Sequence, residues 1–250
     1  ELCEALKTLI IAHPALHTRF RGTASGTWEQ VLSDRFEASY HVQYERSPAE
    51  TRVPFLIASA RERLDIENGP FLSSMLIDGG DETFQRLLIS IHHLVVDLVS
   101  WRVLLQQLEE LLIHGTSPSQ PSLGFPSWST MQNSYALEHL DLNHGLPFTP
   151  SPPMLSYWGL YSKSFTSEML KSLEFSLSES ITSAILGSSN EAFQTQPVDL
   201  MVSALLYSFN KAFPERKLPA VFNESHGREV WDDSIDISQT IGWFTALYPI

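Results

Sequence analysis

The sequence predicts a mixed α/β protein with two lobes, and three observations support this fold class. Hydrophobic residues make up 43% of the 250 residues and charged residues 18%, which supplies enough apolar side chains for a buried core. Segments of helical period and short extended runs occur on both sides of residues 115–153. That stretch holds seven of the 15 prolines. Proline lacks an amide hydrogen and disfavours helix in the residue before it, so the stretch is predicted to connect the lobes.

The first predicted elements are a helix, three extended runs and a second helix: Glu1–His13, Ala15–Arg21, Thr27–Leu32, Tyr40–Tyr44 and Pro48–Leu64. The apolar residues of the first helix recur at i, i+3, i+4 and i+7, which places them on one face. In the second helix Ser47 is the predicted N-cap, because Pro48 then occupies the first helical position, where a missing amide costs nothing.

A hairpin and further helices follow along the chain. Gly79-Gly80 allows a tight reversal between the predicted strands Phe71–Asp78 and Phe84–Ile91, and Trp101–His114 returns to helical period. The remaining predicted elements are a helix around Ser127–Leu137, a turn at Trp158, a strand near Leu170–Leu177, a helix from Ser178, a helix over Asp199–Phe213 and a strand over Ala220–Phe222.

Composition excludes several classes of protein. Sixteen basic against 29 acidic residues give a net charge of −13, which argues against nucleic acid as a partner. The single cysteine, Cys3, excludes an intrachain disulfide framework and a cysteine-rich zinc module, and it fits the reducing cytoplasm. No apolar run reaches the roughly 18 residues of a membrane span. Both ends of the chain cut through predicted elements, so we expect an internal fragment of a longer protein.

The strongest local motif is His92-His93-Leu94-Val95-Val96-Asp97, at the end of an apolar strand. Adjacent residues of an extended segment face opposite ways, so one histidine can face a cavity while the other packs. Histidine exchanges protons near neutral pH. Asp97 could orient an imidazole or lock the turn through an ion pair. Two hydrogen-bonded histidines without a chemical role are the alternative, and a third ligand at zinc-like spacing is missing.

Two later motifs are polar and aromatic, respectively. Asn223-Glu224-Ser225-His226-Gly227-Arg228-Glu229 follows the last predicted strand, which suits a site at a strand terminus but also a solvated, ion-paired turn. Gly242-Trp243-Phe244-Thr245 reads, by itself, as aromatic core at the start of a strand.

Together, HHLVVDLVSWR (92–102), NESHGRE (223–229) and IGWFTALYP (241–249) resemble the condensation-domain superfamily of nonribosomal peptide synthetases, and within it the epimerization domain most. HPALHTRF (13–20) and LDIENGPFL (64–72) resemble further stretches of this family. Two positions depart from the family pattern, because Leu98 and Ser225 stand where the family has glycine. Neither departure removes an ionisable group.

The resemblance implies two chloramphenicol-acetyltransferase-like lobes in a V arrangement around a tunnel. The first lobe is then 1–126 and lacks its start, 127–153 is the crossover, and 154–250 begins a truncated second lobe. His93 is implied to face the tunnel from the first lobe and Glu224 from the second, as the two catalytic groups. The implied supporting or structural residues, with Asp97 acting through an ion pair, are His92, Asp97, Ser100, Trp101, Arg102, His226 and Arg228.

The implied function is epimerization, from L to D, of the α-carbon of an aminoacyl or peptidyl thioester. The resemblance implies no directly bound cofactor or metal, because the substrate is carried on the 4′-phosphopantetheine of a carrier protein. The implied partners are an upstream peptidyl carrier-protein domain and a downstream condensation domain. Two alternatives stay open: a condensation domain that uses His93 without Glu224, and a catalytically silent module that docks carrier proteins. The SWR, NESHGRE and GWFT segments favour epimerization.

Overall fold

The computed structural model describes residues 1–46, 48–80, 85–115, 123–140, 156–159, 166, 169 and 171–249. Within these ranges, no helix combines the length and the apolar character that crossing a membrane requires. The chain forms two compact units. The first unit comprises Glu1–Leu142 and Ser225–Ala246, and the second comprises Asn143–Glu224 and Leu247–Ile250. This division does not test the lobe boundaries expected after residues 126 and 153, which stay a prediction.

The first unit contains both helices and strands. Its helices are α1 (Leu2–Ala12), α2 (Val53–Glu62), α3 (Leu98–His114) and α4 (Phe125–His139). Its strands are β1 (Thr18–Gly22), β2 (Trp28–Leu32), β3 (Tyr40–Arg46), β4 (Leu72–Asp78) and β5 (Gln85–Ile91). Short 3₁₀ helices lie at Pro14–His17, Phe36–Ser39, Glu50–Arg52 and His93–Val95.

Two small sheets organise these strands. Strands β1 and β2 form an antiparallel pair. In the second sheet the order is β3-β4-β5, with β3 parallel to β4 and β4 antiparallel to β5. The predicted hairpin is therefore confirmed as the β4–β5 pair, although four residues of its turn, 81–84, lie outside the described residues.

The main core lies where α1 and α3 meet the β3-β4-β5 sheet. Helix α1 buries Ala5, Leu6, Leu9 and Ile10, so the predicted apolar face is confirmed. Helix α3 contributes Val103, Leu104 and Leu108 to the same cluster, which also contains Phe71, Leu72, Val95, Val96 and Ile241. Burying a side chain of this kind contributes about 1.5–3 kcal/mol, so this cluster anchors β5 and the turn that follows it.

Three boundaries differ from the sequence-based expectation. Helix α2 begins at Val53, because Pro54 and not Pro48 occupies its first turn, and Ser47 lies outside the described residues. Helix α3 begins at Leu98, three residues earlier than expected, because the side chain of Asp97 caps its first turn. The segment expected to precede the polar motif, Ala220–Phe222, is a strand only from Phe222 onward.

The second unit contains three helices and contributes to a strand pair. The helices are α5 (Glu179–Leu186), α6 (Ser188–Phe193) and α7 (Pro197–Ala212), and the strands are β6 (Phe222–Ser225) and β7 (Ala246–Pro249). The helix predicted from Ser178 is confirmed, since the Ser178 hydroxyl accepts a hydrogen bond from the Ile181 amide.

The strand predicted near Leu170–Leu177 is wrong. Residues 171–178 are neither helix nor strand, and Leu170 lies outside the described residues. Within this segment the side chains of Leu173 and Phe175 are 96% and 87% exposed. Apolar residues alone cannot form a strand, because the backbone also needs a neighbouring strand to hydrogen-bond with.

Candidate active site

The two adjacent histidines have different environments at the end of β5. The backbone amide of His92 donates to the Phe71 carbonyl at 3.0 Å, and its Nδ1 accepts a hydrogen bond from the Leu94 amide at 3.2 Å. The His92 ring also contacts the Phe71 ring edge-on, with centroids 5.9 Å apart. Burial lowers the pKa of His92 below its ordinary value, and the neighbouring His93 lowers it further. His92 is thus a packed, hydrogen-bonded histidine.

His93 is exposed and begins a 3₁₀ turn, so only His92 of the pair has the extended backbone that the argument about opposite faces assumes. Its imidazole contacts the indole of Trp243, with ring centroids 5.2 Å apart and an interplanar angle of 62°. The β5 strand and the core residue Val95 therefore present His93 at the surface of the first unit, beside an aromatic side chain from a distant segment.

Asp97 and Arg228 form an ion pair that is almost fully buried. The Arg228 Nη2 atom lies 3.0 Å from both carboxylate oxygens of Asp97, and Nε lies 3.2 Å from Oδ2. The side chains are 11% and 9% exposed, respectively. The Ser100 amide also donates to Asp97 Oδ1 at 2.6 Å, as the N-cap of α3. These contacts are those of an aspartate that locks a turn through an ion pair.

The guanidinium of Arg228 is also held from its other sides. Its Nη1 donates to the carbonyls of Thr240 at 3.0 Å and Ile237 at 3.4 Å. The ring of Phe244 lies 3.8 Å from its central carbon, which is a cation–π contact. The Phe244 amide donates to Asp97 at 3.3 Å. Arg228 therefore ties the polar motif to the start of α3 and to the segment that contains Phe244.

Ser100 is completely buried and forms two hydrogen bonds with Gly242. Its hydroxyl donates to the Gly242 carbonyl at 3.0 Å and accepts from the Gly242 amide at 3.1 Å. It also accepts from Arg228 Nη2 at 3.1 Å. One hydroxyl donor and two acceptor positions are all used, which satisfies a buried polar group in full.

The other predicted site residues lie around this network. Trp101 packs against the main core, and Arg102 is exposed on α3. His226 is exposed, and its Nδ1 accepts a hydrogen bond from the Arg228 amide at 3.1 Å. Glu224 is exposed and lies within β6, in the second unit. The prediction that Glu224 follows a strand is corrected accordingly, since the strand extends to Ser225.

Comparison with known proteins shows the family to which the chain belongs. The sequence model of the family described as "Condensation domain" matches residues 1–143, more than half of the chain. Nonribosomal peptide synthetase dtxS1 of Metarhizium robertsii is 43% identical over 247 residues, which is 98% of this chain and 3% of that synthetase. The chain belongs to the condensation-domain family.

Solved structures agree with this chain in fold. The epimerization domain from the third module of tyrocidine synthetase B matches with a TM-score of 0.67 at 24% identity. The first condensation domain of the calcium-dependent antibiotic synthetase matches with a TM-score of 0.57 at 15% identity. The two matches cover 100% and 99% of this chain, respectively, and the chain spans 59% of each solved structure. The predicted α/β fold of the superfamily is thereby confirmed.

Several residues of this chain are positioned in ways the sequence did not indicate. The GWFT segment stood out as a motif, but the contacts of Gly242 with Ser100, of Phe244 with Arg228, and of Trp243 with His93 carried no local signal.

In the part of the chain that the structure describes, no three His, Cys, Asp or Glu side chains are arranged to hold a metal ion.

Proposed function

We propose that this chain epimerizes the α-carbon of an aminoacyl or peptidyl thioester, from L to D, within a nonribosomal peptide synthetase. The observation that carries this proposal is that two titratable side chains of the motifs are exposed, while the ion pair between the motifs is buried. His93 and Glu224 are both exposed, whereas Asp97 and Arg228 neutralise each other in a buried pair. Epimerization requires two proton-handling groups, and the motifs of this family supply these two.

The chemistry explains why two groups are needed. The α-proton of a thioester is weakly acidic, and its removal by a base leaves an enolate. Returning a proton to the same face restores the L form, so inversion requires a second group that donates from the opposite face. A positioned general acid or base contributes about 10²- to 10⁴-fold. Hydrogen-bond donors near the enolate oxygen stabilise the developing negative charge. His93 and Glu224 are the proposed pair of proton handlers.

The proposal includes the partners that such a reaction needs. The thioester is carried on the 4′-phosphopantetheine arm of a carrier-protein domain, so this chain binds the substrate through its carrier. A peptidyl carrier-protein domain upstream supplies the loaded arm, and a condensation domain downstream receives the D-configured product. The relatives are synthetases of which this chain spans a few per cent, for instance 3% of dtxS1. We place the reaction in the cytoplasm, because an unpaired cysteine such as Cys3 suits a reducing compartment.

The decisive experiment follows α-proton exchange in the synthetase that carries this chain. The carrier is loaded with an L-aminoacyl group in deuterium oxide, and deuterium incorporation and the D/L ratio are measured after release. We expect His93→Ala and Glu224→Gln each to reduce exchange or inversion by roughly 10²-fold or more. His92→Ala is the control, since His92 is packed against Phe71 and is expected to retain most of the turnover. Loss of turnover in His92→Ala alone contradicts the assignment.

Condensation is the second candidate function. It is supported by the family match and by the similar fold of solved condensation domains. A condensation domain uses His93 and forms a peptide bond between two carrier-bound groups, so it does not require Glu224. A wild-type protein that forms peptide bonds without any deuterium incorporation establishes condensation. A protein that binds the loaded carrier and does neither is a silent docking module.

A further inference from the structure

The backbone of Trp243 is fixed on both sides. The amide and the carbonyl of Gly242, the preceding residue, are both hydrogen-bonded to the buried hydroxyl of Ser100, at 3.1 and 3.0 Å. The amide of Phe244, the following residue, donates to Asp97 at 3.3 Å. A residue between two such anchors has little freedom in its backbone, so the direction of its side chain is set by these contacts.

The anchors themselves are rigid. Ser100 is completely buried on α3, and its amide is bound to Asp97, which caps that helix. Gly242 lies against the ring of Phe125, since a Cβ added there would approach the ring to 2.3 Å. Residue 242 therefore has to be glycine for the segment to lie this close to α4.

The side chain of Trp243 reaches the residue that the proposed reaction depends on. Its indole contacts the imidazole of His93 at a centroid distance of 5.2 Å, and it is 39% exposed. An exposed histidine on a short turn has two freely rotating side-chain torsions. A neighbouring aromatic ring restricts both torsions and excludes water from one side of the imidazole.

We infer that Trp243 is a positioning residue for His93, and that Ser100 positions Trp243 through Gly242. This inference rests on the proposed function, because it assumes that His93 transfers a proton. In this arrangement α3 carries Ser100, and Ser100 sets the backbone of residue 242. Residue 243 then holds the imidazole at one orientation. A misplacement of about 1 Å in a reacting group can reduce the rate by as much as roughly 10²-fold, so orientation is a large effect.

The first test separates kcat from KM. In the synthetase, Trp243→Leu is expected to reduce the kcat of α-proton exchange by about tenfold or more while leaving the KM for the loaded carrier within about twofold. Trp243→Phe is expected to recover most of this loss, because a smaller aromatic ring can still restrict the imidazole. Trp28→Leu is the matched control, since Trp28 is 58% exposed on β2, which lies in a different sheet from β5.

The second readout does not depend on turnover. Diethyl pyrocarbonate modifies accessible imidazoles, and mass spectrometry of peptides reports the rate at His93 relative to the exposed His114. Removing the indole in Trp243→Leu is expected to raise the relative rate at His93 several-fold, and Trp28→Leu is expected to leave it unchanged. Ser100→Ala is expected to raise it as well, because Gly242 loses both of its hydrogen bonds to the Ser100 hydroxyl.

The outcomes distinguish this inference from the proposed function. A wild-type synthetase without α-proton exchange refutes epimerization, whereas the labelling rates still report whether Trp243 covers His93. If the wild type exchanges the α-proton and Trp243→Leu matches it in both kcat and labelling, the positioning role is overturned. A folded Ser100→Ala variant with wild-type labelling overturns the role of Ser100. If Ser100→Ala does not fold, the Trp243 variants still decide whether Trp243 positions His93.

Discussion

Replacing Asp97 with asparagine removes one charge from the buried ion pair with Arg228 and leaves a side chain that can still cap α3. Asparagine and aspartate are about equally good N-caps, so the hydrogen bond to the Ser100 amide is expected to survive. The lost contact is the one between the carboxylate and the guanidinium, in which Nη2 lies 3.0 Å from both oxygens. The substitution therefore isolates the charge from the cap.

The expected magnitude comes from the burial of the pair. Both side chains are about a tenth exposed, at 11% for Asp97 and 9% for Arg228. Removing one partner of a buried pair leaves the other charge uncompensated, which typically costs about 3–5 kcal/mol. We expect Asp97→Asn to lower the free energy of unfolding by about 3 kcal/mol. Asp97→Ala also loses the cap, which adds about 1 kcal/mol.

Urea denaturation followed by tryptophan fluorescence measures this loss. With a slope of about 2–3 kcal/mol/M, a change of this size lowers the urea midpoint by roughly 1–1.5 M. The double variant of Asp97→Asn with Arg228→Met completes a mutant cycle. Because both charges are then absent, the double variant is expected to lose about 1–3 kcal/mol less than the sum of the single losses.

Three results refute this reasoning. A change in the free energy of unfolding below about 0.5 kcal/mol, the size typical of a surface substitution, shows that the pair does not hold the segment. An Asp97→Asn variant with wild-type stability that loses only α-proton exchange assigns Asp97 to the chemistry and not to the structure. Additive losses in the cycle show that Asp97 and Arg228 act independently.

Two further predictions concern stability. Gly227→Ala is expected to lower the free energy of unfolding by more than Gly115→Ala. The positive φ angles of the two glycines are similar, 60° and 63°, but a Cβ at residue 227 would lie 2.8 Å from the Thr245 backbone nitrogen, whereas one at residue 115 meets no such atom. Equal urea midpoints for the two variants contradict this prediction. Burial lowers the pKa of His13 below its ordinary 6.5, against the opposing effect of its hydrogen bond to Gln107. Below pH 6.5 the unfolded chain therefore binds more protons than the folded chain, so the urea midpoint should fall as the pH is lowered from 7.5 to about 5.5. The fall should be less steep in His13→Gln, which lacks this imidazole. A midpoint that rises on acidification contradicts the prediction.

Much of the local structure could be predicted from the sequence, because it depends on neighbours in the chain. The apolar spacing of Glu1–His13 determines the buried face of α1, and the glycine pair after Asp78 suits the reversal between β4 and β5. The order of the three motifs was sufficient to indicate the condensation-domain family. The segment at residues 171–178 shows the limit of such reasoning, since it was predicted to form a strand and is neither helix nor strand.

The contacts around His93 were decided by the tertiary structure alone. Asp97 and Arg228 are 131 positions apart, and Ser100 and Gly242 are 142 positions apart. The residue types of the motifs show which groups can ionise or donate, and therefore which chemistry is available. Which donor meets which acceptor depends on how α3 packs against the segment from Arg228 to Phe244, and no local pattern of charge or hydrophobicity specifies a partner more than a hundred residues away.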